Sequence, residues 1–190
     1  MFVRADEDGL QCIIAIYVDD PLITARTDAL VTEVKGLLKE RFKIKELGPI
    51  SWILGIAVER DFIKGTLIMH QQKYIMDLVE RFGMENAAGR RTPYAGGDDK
   101  PSEDCNPADK TLYCNLAGSL MYAAVATRPD ITETVNRLCK RMNSPMQADM
   151  KNAQRCLQYL KATANLGIQF TEEEHPKILC DANLGEHRRT

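Results

Sequence analysis

Apolar and polar positions at the start of the chain predict an antiparallel β-hairpin. Residues 11–18 (Gln-Cys-Ile-Ile-Ala-Ile-Tyr-Val) are apolar and β-branched, which indicates a strand buried on both faces. Asp19 and Asp20 are expected to form the turn, and residues 22–25 the returning strand. The tip of this hairpin would therefore carry two adjacent carboxylates.

The next stretch predicts a helix that begins at a polar cap. Thr27 or Asp28 is expected to be the capping residue. Apolar residues then recur at helical spacing, which favours one buried face: Leu30, Val34, Leu37, Leu38 and Phe42. The Gly-Pro pair at 48–49 ends this segment.

Alternation and helical periodicity predict two strands and a helix over the next thirty-five residues. Apolar side chains at every second position indicate a single half-buried strand over residues 50–58. The Lys-Gly pair at 64–65 is typical of a turn into a second strand at 66–69. A helix with one apolar face follows over 74–82, and Gly83 is placed to end it in the left-handed conformation.

The pattern in the second half of the chain predicts a loop followed by helices. Residues 86–109 are rich in Gly, Pro and Asp, which favours a linker or mobile loop. Three helical patterns follow it, over 112–125, from Arg128 to Met142, and beyond Asp149. Two strand-like pieces end the chain, at 167–170 and 177–180.

Composition limits the classes of function. The chain has 190 residues, 44% of them apolar, and a net charge of −2, so it is expected to fold and lacks a chain-wide basic footprint for nucleic acid. No apolar run is long enough for a membrane helix or a signal peptide, so we expect no membrane partner and an intracellular setting. The six cysteines form no Cys-x-x-Cys pair, which favours free, mostly buried thiols over a zinc site.

The adjacent carboxylates Asp19 and Asp20 are the sharpest chemical feature. Mg²⁺ prefers oxygen ligands and often takes one or two carboxylates together with substrate phosphates. Two such ions stabilise both the attacking and the leaving oxygen in phosphoryl transfer. The alternative is ordinary turn chemistry, because Asp tolerates turn geometry. Judged as an isolated tetrapeptide, Tyr17–Asp20 favours the turn alone.

A series of motifs changes that judgement. It opens with residues 14–23 (Ile-Ala-Ile-Tyr-Val-Asp-Asp-Pro-Leu-Ile), and its most distinctive block is Tyr113 with 118–122 and 127–131. The other pieces lie at 42–48, 53–56, Gln71 with Tyr74, 82–84, 92–93, 157–163 and 180–185. In order and spacing, the series from about residue 13 to residue 185 resembles the copia-type retrotransposon reverse transcriptases, part of the Pol polyprotein.

The resemblance implies an α+β fold. Residues 1–92 would be part of the polymerase palm, with the Tyr-x-Asp-Asp hairpin and strands like those of the primer grip. Residues 93–110 would be a linker, 111–165 a helical thumb and connection, and 166–190 the start of a ribonuclease H-like domain. The fingers and the first catalytic Asp would precede residue 1, so this chain alone is expected to be inactive.

The resemblance also implies roles for single residues. Asp19 and Asp20 match the catalytic, Mg²⁺-binding pair, and Tyr17 matches the tyrosine beside the nucleotide and the primer end. Trp52 and Gly55 lie in the segment that positions the primer, although a core aromatic on an alternating strand is an equal interpretation of Trp52. Asp181 matches the first metal ligand of ribonuclease H, vestigial here because Asn183 replaces the next Asp.

The implied partners are an RNA template, an RNA–DNA hybrid or a DNA primer, and the missing N-terminal polymerase segment. Residues 128–161 carry seven basic and three acidic side chains, a balance of +4 that supports a nucleic-acid face. Pro21 removes a backbone donor and could distort the turn. Two alternatives therefore remain: a non-catalytic nucleic-acid-binding remnant, or a decayed insertion without function. If expressed, the protein would act in a cytoplasmic particle or the nucleus.

Overall fold

A computed structural model describes residues 1–6, 9–95 and 106–171. It divides into two compact units, Met1–Ile50 and Ser51–Thr190. The predicted strand at 177–180 and Asp181 lie outside the described residues. Within the described residues, no helix is long and apolar enough to cross a membrane.

The first unit is a three-stranded antiparallel sheet with one helix. Its strands are β1 (Phe2–Asp6), β2 (Gly9–Tyr17) and β3 (Asp20–Ala25), in the order β1-β2-β3. The predicted hairpin is confirmed as β2 and β3. Strand β1 was not predicted, because a few apolar residues before an acidic stretch carry too little periodicity to indicate a strand.

Helix α1 (Asp28–Arg41) begins where the sequence predicted. The backbone N–H of Leu30 donates to Thr27 Oγ1 over 3.3 Å, so Thr27 is the N-cap. Beyond the helix, Glu46 accepts from Lys39 at 2.5 Å and from Lys35 at 3.3 Å. These two hydrogen bonds hold the pKa of Glu46 below its ordinary value. They also connect the segment that follows α1 to the helix.

The second unit contains a four-stranded antiparallel sheet. Strands β4 (Trp52–Ile53), β5 (Ile56–Asp61), β6 (Thr66–His70) and β7 (Gly167–Thr171) pair in that order. The single strand predicted over 50–58 is wrong, because the chain reverses between β4 and β5. A two-residue turn preserves the alternation of apolar positions on both sides, so periodicity did not reveal it.

Strand β7, which follows the last described helix, pairs with the earlier β5–β6 hairpin. It pairs with β6 from Thr66↔Thr171 to His70↔Gly167. A Cβ at Gly167 would overlap the carbonyl oxygen of Met69, so this close approach requires glycine. The family resemblance implied that this segment begins a ribonuclease H-like region. The predicted domain boundaries at 92, 110 and 165 stay predictions.

The described residues of the second unit also form four α-helices. They are α2 (Gln72–Arg81), α3 (Lys110–Ala126), α4 (Thr132–Cys139) and α5 (Gln147–Ala162), with a 3₁₀ turn at Pro129–Ile131 before α4. Gly83 follows α2 at φ +63°, as predicted. The second helical pattern is shorter than expected and starts with the 3₁₀ turn. The fully buried side chains that form the core include Ile75, Leu78, Leu116, Leu120, Ile131, Leu157 and Leu160.

The cysteines within the described residues are free, as expected. Cys12 and Cys156 are buried, while Cys114 and Cys139 are half-buried. Burial raises the pKa of the Cys156 thiol to about 12, so it stays protonated and acts as a small apolar side chain.

A buried arginine joins α5 to the segment between α3 and α4. The Arg128 side chain is 1% exposed and forms two hydrogen bonds with the Asp130 carboxylate, at 3.0 and 2.8 Å. It also donates to the carbonyl and the hydroxyl of Thr163, at 2.9 and 2.7 Å. Tyr159 Oη donates to Asp130 over 2.7 Å. Burial raises the pKa of Asp130, but these hydrogen bonds outweigh it and the pKa is lowered overall.

Replacing this arginine should destabilise the second unit. Arg128→Met keeps much of the apolar volume but removes the four arginine hydrogen bonds to Asp130 and Thr163, which costs roughly 3 kcal/mol of unfolding free energy. Asp130 then keeps the Tyr159 hydroxyl as a donor, and the Thr163 carbonyl keeps the Leu166 N–H. Lys140→Met is the matched control, because it removes the same charge from an exposed position. Urea unfolding followed by circular dichroism measures both. Equal stability of the two variants would contradict the structural role of Arg128.

Candidate active site and nucleic-acid interface

The hairpin tip is a two-residue turn formed by Val18 and Asp19. Tyr17 pairs with Asp20 across it. The prediction that Asp19 and Asp20 form the turn is therefore wrong by one residue, because Asp20 already belongs to β3. Val18 has φ +52°, a left-handed conformation that is rare for a β-branched residue and that the sequence did not suggest.

Strand register decides which way the site residues point. Cys12 and Ile14 alternate onto the face of β2 that lines an apolar cleft with Val34 of α1. Tyr17 is an odd number of residues from both, so it projects from the opposite face. Asp20 lies directly across the ladder and shares that face. Tyr17, Asp19 and Asp20 are all exposed, so one tyrosine and two carboxylates meet solvent at one tip.

Pro21 is compatible with this hairpin. The backbone N–H of Arg26 donates to the Gln11 carbonyl over 3.0 Å, which makes Gln11 and Arg26 a hydrogen-bonded pair. Such pairs alternate along an antiparallel ladder, so Ile16↔Pro21 falls on a pair without hydrogen bonds. The proline therefore removes no ladder bond, and the expected distortion of the turn is not observed.

The tip suits a hard divalent cation only in part. Carboxylate oxygens are the ligands that Mg²⁺ prefers, and it commonly takes one or two of them with substrate phosphates. Asp19 and Asp20 fit that donor set. Among the residues that the structure describes, no cluster of three or more His, Cys, Asp or Glu side chains could hold a metal ion. Any ion at this tip would need further ligands beyond these two carboxylates.

A second tight turn presents the lone tryptophan of the chain. Leu54 has φ +51° and Gly55 has φ +75°, and Ile53 pairs with Ile56 across them. Trp52 is 48% exposed, so its interpretation as a core aromatic is wrong. Lys73 Nζ lies 5.8 Å from the centre of the Trp52 ring, within the range of a cation–π contact. Lys73 was not predicted as a site residue.

Trp52 and Gly55 belong to the second compact unit, and Tyr17, Asp19 and Asp20 to the first. Within the first unit, Tyr17, Asp19 and Asp20 lie together at the hairpin tip, which is a carboxylate tip. Within the second unit, Trp52 and Gly55 lie together at the turn between β4 and β5, which is an aromatic turn.

Most of the predicted basic face is occupied by contacts within the protein. Several of its cations contact groups of the same chain: Arg128 contacts Asp130, Arg137 contacts Glu133, Arg141 contacts Asp149, Arg155 contacts Thr92 and Lys161 contacts the carbonyls of Met84, Glu85 and Ala87. The three acidic partners, Asp130, Glu133 and Asp149, are already subtracted in the balance of +4, so the net charge is unchanged, but these contacts restrict the cations that phosphates could reach. The buried Arg128 in particular has a structural role.

Comparison with known proteins identifies the class of protein. Residues 1–96, half of the chain, match the family described as reverse transcriptase (RNA-dependent DNA polymerase). The chain belongs to that family. Its relatives further place it with the copia-type retrotransposon reverse transcriptases, whose family generally uses divalent metal ions.

Three relatives illustrate the range of lengths. The Retrovirus-related Pol polyprotein from transposon TNT 1-94 of Nicotiana tabacum is 36% identical over 85% of this chain and 13% of its own length. The corresponding polyprotein from transposon RE1 of Arabidopsis thaliana is 36% identical over 80% of this chain and 10% of its own length. An uncharacterized mitochondrial protein of Arabidopsis thaliana is 29% identical over 88% of this chain and 70% of its own length. The chain thus spans about a tenth of the polyproteins, and no solved structure matches it significantly.

Relief of the left-handed strain at the hairpin tip should stabilise the hairpin. Glycine adopts φ +52° without the Cβ clash, so Val18→Gly is expected to gain about 1 kcal/mol. Val18→Ala is the control, because it removes the β-branch and keeps the Cβ. Amide hydrogen exchange across β2 and β3 measures the effect. Faster exchange in Val18→Gly than in the wild type would show that Val18 is not strained.

Proposed function

We propose that this chain supplies the metal-binding hairpin and a nucleic-acid contact of an RNA-directed DNA polymerase. The reaction extends a primer 3′-hydroxyl with deoxynucleoside triphosphates on an RNA or DNA template. The observation that carries the proposal is the exposed tip with Tyr17 and Asp20 on one face and Asp19 at its turn. The match of residues 1–96 to the reverse transcriptase family supports the same conclusion.

The carboxylates of Asp19 and Asp20 would hold Mg²⁺, with Asp19 as the direct ligand. The bound ion supplies positive charge that stabilises the phosphates during transfer. The stiffness of the antiparallel ladder keeps the two carboxylates at one tip, which reduces their reorganisation when phosphates arrive. Tyr17, opposite Asp20, presents its ring to the nucleotide and the primer end. Asp181 is proposed as a vestigial ligand of a ribonuclease H-like site.

Trp52 and Lys73 would contact the primer strand. The half-exposed indole offers a stacking surface, and the neighbouring ammonium offers a partner for phosphate. Gly55 allows the turn that holds Trp52 at the edge of the sheet, and Lys73 reaches the indole from α2. The partner proposed for this surface is a DNA primer paired with an RNA template.

A second candidate function is a nucleic-acid-binding module without catalysis. It is favoured by the relative in Arabidopsis thaliana of which this chain covers 70%, since that protein is far shorter than the polyproteins. Such a module would bind an RNA–DNA hybrid in a salt-dependent way. Its affinity would not depend on Asp19, which separates the two proposals.

Neutralisation of Asp19 should abolish the effect of Mg²⁺ on hybrid binding. In fluorescence anisotropy with a labelled RNA–DNA hybrid and a deoxynucleoside triphosphate, we expect Mg²⁺ to tighten binding by the wild type. Asp19→Asn should bind equally with and without Mg²⁺, because it lacks the anionic ligand. Asp77→Asn controls for charge, since Asp77 is exposed on α2. The same Mg²⁺ response in all three proteins would leave only the non-catalytic module.

Removal of the indole should weaken hybrid binding whether or not Mg²⁺ is present. Loss of one stacking contact predicts about tenfold weaker binding for Trp52→Ala. Phe62→Ala is the matched control, because Phe62 is also exposed and lies 4.6 Å from a cation, Arg60. Anisotropy titrations at fixed salt compare the two. An equal loss of affinity in both variants would contradict a specific contact at Trp52.

A further inference from the structure

The turn that presents Trp52 has little intrinsic stability. β4 contains only two residues, and its turn places Leu54, which is not a glycine, in the left-handed region. One backbone hydrogen bond, from Val58 N–H to the Ser51 carbonyl over 2.9 Å, extends the ladder beyond β4. A contact from outside the hairpin is therefore needed to hold this turn in one conformation.

Tyr122 of α3 provides such a contact. Its hydroxyl donates to the carbonyl oxygen of Leu54 at the centre of the turn. The same hydroxyl lies 4.0 Å from the position that a Cβ would take at Gly55. Tyr122 therefore meets both left-handed residues of the turn.

Tyr122 is itself held in place by Tyr74 of α2. The two rings pack edge to face, with centroids 5.1 Å apart and an angle of 82° between their planes. Tyr74 Oη in turn donates to the Ser119 carbonyl of α3 over 3.0 Å. Burial raises the pKa of Tyr74, so its hydroxyl stays a donor at neutral pH.

The turn is contacted from both α2 and α3, and neighbouring residues of α2 contribute to both contacts. Lys73 lies over the Trp52 ring, and Tyr74 supports the tyrosine that bonds to Leu54. The turn is thus held by contacts with two helices that also bond to each other. A site supported in this way is preorganised for its ligand.

We propose that Tyr122 is a positioning residue that fixes the turn at 52–55 so that Trp52 meets the primer strand. This inference rests on the proposed function for its ligand, an RNA–DNA hybrid. Tyr122 does not touch the hybrid. It acts through the Leu54 carbonyl, and Tyr74 supports it from behind.

Trp52 is the single tryptophan of the chain, so its fluorescence reports directly on the turn. Tyr122→Phe removes only the hydroxyl, and the loss of one hydrogen bond predicts about fivefold weaker hybrid binding. Quenching of Trp52 emission by acrylamide should increase at the same time, because the freed turn exposes the indole more. Gly55→Ala should cause the same two changes without altering α3, because alanine is strained at φ +75°.

Tyr113→Phe separates positioning from general stability. Tyr113 Oη donates to the Leu138 carbonyl over 2.7 Å inside the helical core, so this variant also loses one hydrogen bond. It should lower the melting temperature at least as much as Tyr122→Phe, and leave Trp52 quenching and hybrid affinity unchanged.

Unchanged quenching in Tyr122→Phe would overturn the inference. Increased quenching with unchanged hybrid affinity would overturn it as well, provided that Trp52→Ala weakens binding. If Trp52→Ala binds as the wild type does, the proposed nucleic-acid contact fails and the inference falls with it. That failure is distinguishable, because the quenching response of Tyr122→Phe would still show that the hydroxyl holds the turn.

Discussion

The register of the β2–β3 hairpin is the constraint on which the candidate active site depends. It places Val18 and Asp19 in the turn and sets Asp20 opposite Tyr17. It also places Pro21 where the ladder has no hydrogen bond to lose. A shift of one residue would turn Asp20 towards the α1 side of the sheet. The strained conformation of Val18 is the consequence of keeping this register with a two-residue turn.

The helical half supports the second candidate surface through its polar contacts. Arg128, Asp130 and Thr163 tie the end of α5 to the segment between α3 and α4. Tyr122 then extends from α3 to the turn beside Trp52. The block from Tyr113 to residue 131, which is the most distinctive part of the family resemblance, thus acts here through packing and hydrogen bonds.

The sequence predicted those parts of the fold that produce clear periodicity. The hairpin, a cap at Thr27 or Asp28, the left-handed Gly83 and the presence of the helices, although not all of their bounds, were predicted. The reversal at Leu54 and Gly55 was missed because alternation continues across a two-residue turn. The pairing of β6 with β7 was also missed, since about a hundred residues separate the two strands and no local pattern encodes their contact.

The candidate site was predictable to a similar degree. The roles of Asp19, Asp20 and Tyr17 were inferred from the family resemblance and stay predictions, while the one-residue shift of the turn needed the strand register. The count of basic residues could not distinguish an exposed cation from the buried Arg128, because charge alone does not encode burial. Lys73 and Tyr122 had no assigned role in the sequence, since their contacts join segments that are distant along the chain.

Manganese relaxation measurements test the central claim most directly, because Mn²⁺ accepts the same oxygen ligands as Mg²⁺ and broadens nearby amide resonances. Titration of ¹⁵N-labelled chain with substoichiometric Mn²⁺ should broaden the resonances of residues 17–20 first, and excess Mg²⁺ should restore them. Broadening that begins elsewhere, for example around Glu46 or Asp61, and leaves residues 17–20 sharp would contradict the assignment of the hairpin tip as the metal-binding site.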